Sequence, residues 1–171
     1  METAQKKGGL YLLKSGLQSV FKAAAFTCKC GCGLNNVVQD LVDKLHELRN
    51  AAKSKFRVSN AVRCEKHNKE VGGSDISAHL ATKEKPCKAA DIQDVEIDIS
   101  DFFRAAVPLG FGGVGLYVGD YGPYMHVDVK YERPKQFRYW YYKSGYHYFE
   151  NPEECLAAYI KAFELDKKER E

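Results

Sequence analysis

The segment Tyr124–Lys130 alternates along its whole length. Met125, Val127 and Val129 point one way; Tyr124, His126, Asp128 and Lys130 point the other. It follows the turn sequence Gly119-Asp-Tyr-Gly-Pro123 and the strand-like run Gly115–Val118, so the two runs read as a hairpin. An apolar hairpin face needs a core beneath it, which commits the chain to a small antiparallel sheet. The opposite face carries the chemistry. His126 and Asp128 stand two residues apart on it, which suits a metal ligand with a carboxylate that orients it or acts as a base. The plainer reading is a satisfied polar face.

The remaining elements follow from periodicity. Val38, Leu41, Val42, Leu45 and Leu48 recur at helical spacing and predict a helix over 37–52, with Asn35 or Asn36 as its cap. Phe56–Asn60 and Ala89–Gln93 read as strands. Between them, 63–88 reads as a long loop with one helical turn near Glu65–Glu70, and a loop of that length usually carries function. A helix is expected from Ser100 or Asp101 to about Val107, stopping before Pro108. Asn151, Pro152 and Glu154 form a clear helix start. Residues 1–25 read as an N-terminal arm with a short helix over Leu10–Lys22. The expected class is α+β, a small antiparallel sheet with helices packed on one face.

Composition narrows the function. At 171 residues one domain is expected, and 11 Tyr with 9 Phe exclude a wholly disordered chain. The net charge of +3 is too mild for a dedicated nucleic-acid binder, and no apolar run reaches membrane-spanning length. Lys14, Ser15, Gln18 and Lys22 interrupt the first apolar stretch, so no signal-peptide core is read and a cytoplasmic origin is expected. In that compartment six Cys are expected free or metal-bound rather than paired.

A second patch, Ser77-Ala-His79 and then Ala89-Ala-Asp91, offers a His and an Asp that could join His126 in a three-ligand site. Each pair alone is weak. Together the segments are more specific: Arg63-Cys-Glu-Lys-His-Asn68, Val71-Gly-Gly73, Ser77-Ala-His79, Lys88-Ala-Ala-Asp-Ile92 and His126-Val-Asp-Val129. In that order they resemble the D-Ala-D-Ala carboxypeptidase family of zinc peptidases, and more narrowly its phage and prophage endolysin branch. Phe26-Thr-Cys-Lys-Cys-Gly-Cys-Gly33 is similar to a Cys-rich segment of that branch.

The resemblance implies a Hedgehog/D-Ala-D-Ala-peptidase-like fold over residues 26–142, with 143–171 as a C-terminal extension. It implies zinc held by His79, Asp91 and His126, with Arg63 gripping a substrate carboxylate. The implied activity is cleavage of peptidoglycan stem peptides, as an endopeptidase or D,D-carboxypeptidase, on the cell wall after release from the producing cell. The implied partner is the stem peptide, with no nucleic acid and no membrane; the oligomeric state is open, with a monomer favoured. The alternative is a non-catalytic, zinc-containing wall-binding or virion module of the same fold. Two departures bear on the site. Pro123 stands where many members carry a carboxylate, which leaves Asp128 as the expected base and Asp120 as the fallback. Eleven residues separate His79 from Asp91, so Thr82–Pro86 looks inserted, and Cys87 is a possible alternate ligand.

The other candidates read more plainly. In an extended chain Cys28, Cys30 and Cys32 are too tightly spaced for three ideal ligands. Free thiols are the first reading, and two of them with Cys64 or His67 in a structural metal site the second. Phe137–Tyr142 reads as a covering strand or as a groove wall. His46 and His67 read as flank and loop residues, and His147, in Tyr146-His-Tyr148, as a surface or partner-contact residue.

Overall fold

The computed structural model describes residues 1–93, 95–119 and 122–168. Within them lie β1 (Lys6–Lys7), β2 (Leu10–Leu12), β3 (Gln18–Lys22), α1 (Gln39–Ala52), β4 (Arg57–Asn60), α2 (Glu65–Glu70) and β5 (Ala89–Gln93). There follow α3 (Ile99–Ala106), β6 (Gly113–Gly119), β7 (Gly122–Asp128), β8 (Tyr139–Tyr142), β9 (Tyr146–Phe149) and α4 (Pro152–Lys168). The class is α+β, as expected.

A six-stranded sheet in the order β4-β5-β7-β6-β8-β9 carries the molecule. Its β6–β8 pair is parallel and its other pairs are antiparallel, so the sheet is mixed rather than purely antiparallel. The sheet's two faces divide the labour. Ala90, Ile92, Val114, Leu116, Met125, Val127 and Tyr141 join the hydrophobic core. Against them pack α1 through Leu41, Leu45 and Leu48, α3 through Phe102 and Phe103, and α4 through Leu156 and Tyr159. Val38 precedes α1 without a side-chain cap. Asn35 and Asn36 are engaged elsewhere, with Ala23, Thr27 and the carbonyls of Thr82 and Lys83. Asp98, not Ser100 or Asp101, caps α3 by accepting from the Ser100 N–H at 2.7 Å. Asn151 caps α4 as expected, accepting from Glu153 and Glu154.

The helix expected over Leu10–Lys22 is not formed. Gly8 and Gly9, at φ 59° and 79°, make a tight turn between β1 and β2, and β3 returns antiparallel to β2. Along β3, Ser19 and Phe21 are buried while their neighbours are exposed, which is strand periodicity. Tyr11 and Phe21 both pack on Phe26 and enter the same core as the sheet.

The other face of the sheet is shaped by a cross-strand row. Asp91, His126, Gly115 and Trp140 are successive partners on β5, β7, β6 and β8. Gly115 sits under the Trp140 indole, where any Cβ would collide with the ring; a Cβ on Gly113 would lie 2.8 Å from both Trp140 and the Asp128 carboxylate. The two glycines are a shelf that lets the indole lie flat and come within 5.4 Å of the His126 ring.

Candidate active site

His79, Asp91 and His126 converge from three parts of the chain. Asp91 and His126 face each other across the β5–β7 pair. His79 arrives from the loop after α2, whose backbone is fixed by a parallel bridge. Arg63 N donates to the His79 carbonyl at 2.9 Å, and Ala81 N donates to the Arg63 carbonyl at 2.9 Å. The donor atoms form a nearly equilateral triangle. His79 Nε2 to His126 Nδ1 is 3.1 Å, His126 Nδ1 to Asp91 Oδ1 is 3.0 Å, and His79 Nε2 to Asp91 Oδ1 is 3.2 Å.

Each donor is oriented from behind. His79 Nδ1 donates to the Ala61 carbonyl at 2.7 Å, so its Nε2 presents a lone pair to the triangle. His126 Nε2 donates to Asp128 Oδ2 at 3.2 Å, so its Nδ1 does the same. Asp91 turns Oδ1 inward, while its Oδ2 accepts from Asn60 Nδ2 at 2.9 Å and Arg63 at 3.4 Å. Two imidazole lone pairs and a carboxylate oxygen thus aim at one point, and only a cation or a proton satisfies all three.

The electrostatics agree. Burial disfavours the Asp91 charge, but His79 and His126 hold its carboxyl well below the usual range. Burial holds the His79 imidazole below its ordinary value despite Asp91. Burial also opposes a charge on His126, yet its hydrogen bonds to Asp128 and Asp91 win and push it up to about 9. A divalent cation relieves the same demand. Two His and one Asp is a donor set that zinc accepts, and ligands at about 2.0–2.2 Å from a tetrahedral ion stand roughly 3.3–3.6 Å apart, a few tenths of an ångström wider than the triangle observed.

The triangle lies at the base of an open cleft of about 830 Å³. Arg63 and the Gly72–His79 loop form one side of it. Tyr117, Tyr124, Trp140, Tyr146 and Tyr148 form an aromatic side, with Arg133 and Glu132 beside it. The Phe137–Tyr142 run therefore serves both of its expected roles: Tyr141 enters the core and Trp140 walls the cleft. Tyr146-His-Tyr148, expected at the surface, is strand β9, and its two tyrosines extend that wall.

The remaining sequence candidates separate. Asp128 is fully buried: Oδ1 accepts from Lys130 N at 3.0 Å, and Oδ2 binds Arg133 and His126 Nε2. It meets His126 on the side away from the donor triangle and does not line the cleft. Asp120 lies outside the described residues. Cys87 turns into the core, donates its S–H to the Ala89 carbonyl at 3.2 Å, and is pushed up to about 12 by burial. It stands apart from the His79–Asp91–His126 group. The apparent insertion at Thr82–Pro86 closes on itself, Thr82 N donating to the Lys85 carbonyl at 2.8 Å, so His79 and Asp91 still meet. Asn60 and Arg133 were not singled out from sequence. Asn60 has one legible signal, its strand position beside the Asp91 strand. Arg133 has none, because its reach to Asp128 and its stacking 4.7 Å over the Trp140 ring depend on a turn.

No curated protein and no solved structure matches the chain. The family pattern described as peptidase M15 matches residues 19–128, from β3 through the last residue of β7. That match spans most of the chain and ends on the strand that carries His126 and Asp128, and it stops before the part of the aromatic wall supplied by β8 and β9. The chain belongs to the peptidase M15 family.

Proposed function

We propose that this chain is a zinc-dependent peptidase that cleaves stem-peptide bonds of peptidoglycan, as an endolysin-type endopeptidase or a D,D-carboxypeptidase. The observation that carries the reading is the convergence of His79 Nε2, Asp91 Oδ1 and His126 Nδ1, 3.0–3.2 Å apart, at the base of an open cleft. Bound there, zinc supplies Lewis-acid polarisation of a carbonyl and lowers the pKa of a water.

The chain's own residues do the rest. Ala61 and Asp128 hold protons at His79 Nδ1 and His126 Nε2, which keeps both imidazoles in the ligating tautomer. Asp128 is thus a positioning residue rather than the base expected from sequence. Glu132 is the carboxylate, besides Asp91, that lines the cleft among the described residues. Proton acceptance is assigned to Glu132, with Asp120, which lies outside the described residues, as the alternative. Arg63 spends one contact on Asp91 at 3.4 Å and lines the cleft, so its remaining N–H groups serve a peptide carboxylate.

Digestion of purified peptidoglycan, followed by mass analysis of the products, tests the proposal. The zinc-loaded protein releases peptide fragments whose termini name the bond cut. His79→Ala, Asp91→Ala and His126→Ala each lose the zinc of this centre, and with it the products. Full zinc in all three variants overturns the site. A zinc-loaded wild type that sediments with peptidoglycan and releases nothing makes the chain a binding module instead.

A further inference from the structure

Away from the cleft, four sulfurs gather. Cys28, Cys30 and Cys32 lie in the loop before α1, and Cys64 lies directly before α2; their Sγ atoms all fall within 4.8 Å of one another. Cys28 and Cys30 sulfurs are 3.4 Å apart, and Cys30 and Cys64 sulfurs 3.6 Å. A tetrahedral zinc with four thiolates at about 2.3 Å has sulfur–sulfur edges of roughly 3.8 Å, so these spacings are those of a closed four-sulfur site.

The backbone explains how so tight a Cys-x-Cys-x-Cys run converges. It is a run of turns and not an extended strand. Gly31 and Gly33 sit at φ 82° and 75°, the left-handed region that glycine enters without cost from a Cβ. Cys28 N donates to the Leu34 carbonyl at 2.8 Å, which closes the loop, and Val62 N donates to the Phe26 carbonyl, which ties it to the segment after β4. Backbone donors already face the sulfurs: Cys64 N points to Cys28 Sγ and His67 N to Cys64 Sγ, each at 3.4 Å. Cys30 and Cys32 are exposed, so no core packing gathers them. A thiol is only a weak donor and acceptor, too weak to hold four such groups together on a surface loop.

We propose that Cys28, Cys30, Cys32 and Cys64 bind one zinc ion as a structural tetrathiolate, separate from the His79–Asp91–His126 centre. Binding exchanges four thiol protons, released to solvent, for four zinc–sulfur bonds, with no change in oxidation state. The ion clamps the loop before α1 to the residue that follows Arg63. It thereby fixes the backbone from which Arg63 and the His79 bridge are set.

Cobalt(II) separates this site from the other by colour. Protein produced in zinc-poor, cobalt-supplemented medium is expected to show sulfur-to-cobalt charge-transfer absorption in the near ultraviolet. Those bands persist in His126→Ala, whose donors contain no sulfur, and vanish in Cys30→Ser and in Cys64→Ser. Wild-type protein denatured anaerobically in chelator titrates as six thiols, which requires no variant to fold. Absence of sulfur charge transfer in cobalt-loaded wild type, persistence of the bands in both Cys variants, or a count of four thiols indicating a disulfide each overturns the proposal. Because the readout is sulfur-specific, its failure leaves the peptidase reading intact, and loss of peptidase activity alone leaves this one intact.

Discussion

His126 offers Nδ1 to the donor triangle because its other nitrogen is engaged by Asp128, and Asp128 holds that position because Arg133 and the Lys130 N–H occupy its remaining lone pairs. This chain of contacts makes a sharp forecast. Asp128→Asn keeps the shape but weakens the hold on the imidazole. Zinc affinity is expected to fall about 10–100-fold, with turnover restored by excess zinc. Abolished turnover with zinc still fully bound would make Asp128 the base after all. Arg63→Lys is expected to leave zinc content unchanged while raising KM for carboxylate-bearing peptides, since an ammonium cannot reproduce the planar fork. Unaltered kinetics would confine Arg63 to bracing Asp91. At this scale the sequence was informative where motifs are local. The meeting of His79, Asp91 and His126, with Arg63 beside them, was legible because several short motifs occur in one order. Asn60 and Arg133 act through strand register and a turn, which residue spacing does not encode. Cys64, named from the sequence beside His67 as a possible partner of the Cys28–Cys32 run, is the one that joins Cys28, across 36 positions.

Among the elements, α1, α2, β5 and the β6–β7 hairpin were readable because each carries its own period and punctuation. The first strands were not. Leu10, Leu13 and Leu17 fall at helical spacing and suggest a helix, yet the residues that become buried are Tyr11, Ser19 and Phe21. The two-residue Gly8-Gly9 turn between short strands was the signal that outweighs that spacing. The parallel β6–β8 pair was equally hidden, since nothing in β8 states which neighbour it will join. The burial of Tyr11 has a measurable consequence. Its ring is inaccessible, meets Phe26 edge-on at 5.1 Å, and its hydroxyl binds Asn35. Tyr11→Ala is expected to lower the unfolding free energy by about 3–5 kcal/mol in denaturant titration, the range for deleting a buried aromatic ring. A change under roughly 1 kcal/mol would show the first strands to be an appendage on an independent core.

Over the molecule as a whole, one face of the sheet is given to packing and the other to the cleft, and the two halves of the chain contribute unequally. His79, Asp91 and His126 all lie within the segment matched by the family pattern, whereas Trp140, Tyr146 and Tyr148 come from β8 and β9 beyond it. The outer tyrosines are partly exposed and stack on each other with ring centroids 5.7 Å apart, so they are available to a substrate without being needed by the core. Tyr146→Ala with Tyr148→Ala is expected to raise KM several-fold for a peptide substrate while kcat and zinc content hold, the pattern of lost uniform binding. An unchanged KM would place substrate contacts on the Gly72–His79 side instead. Among the described residues no helix is long and apolar enough to cross a membrane.

The Gly113–Gly115 shelf gives the protein an optical gauge of its own. The indole that rests on it belongs to the chain's one tryptophan, stands 5.4 Å from the His126 ring, and lies under the Arg133 guanidinium. Around it, Tyr117, Tyr124, Tyr142, Tyr146 and Tyr148 form a connected array of rings, each close enough to pass excitation onward. Light absorbed by those phenols should emerge as emission from a single indole whose colour depends on the charge beside it. Adding zinc to chelated protein is therefore expected to shift and rescale that emission in step with binding at the centre, whereas Trp140→Phe keeps only the shorter-wavelength emission of the tyrosines. Emission that stays constant while the wild type takes up the zinc that His126→Ala does not would disconnect the gauge from the metal. With it connected, occupancy of the centre can be followed in real time without attaching any label.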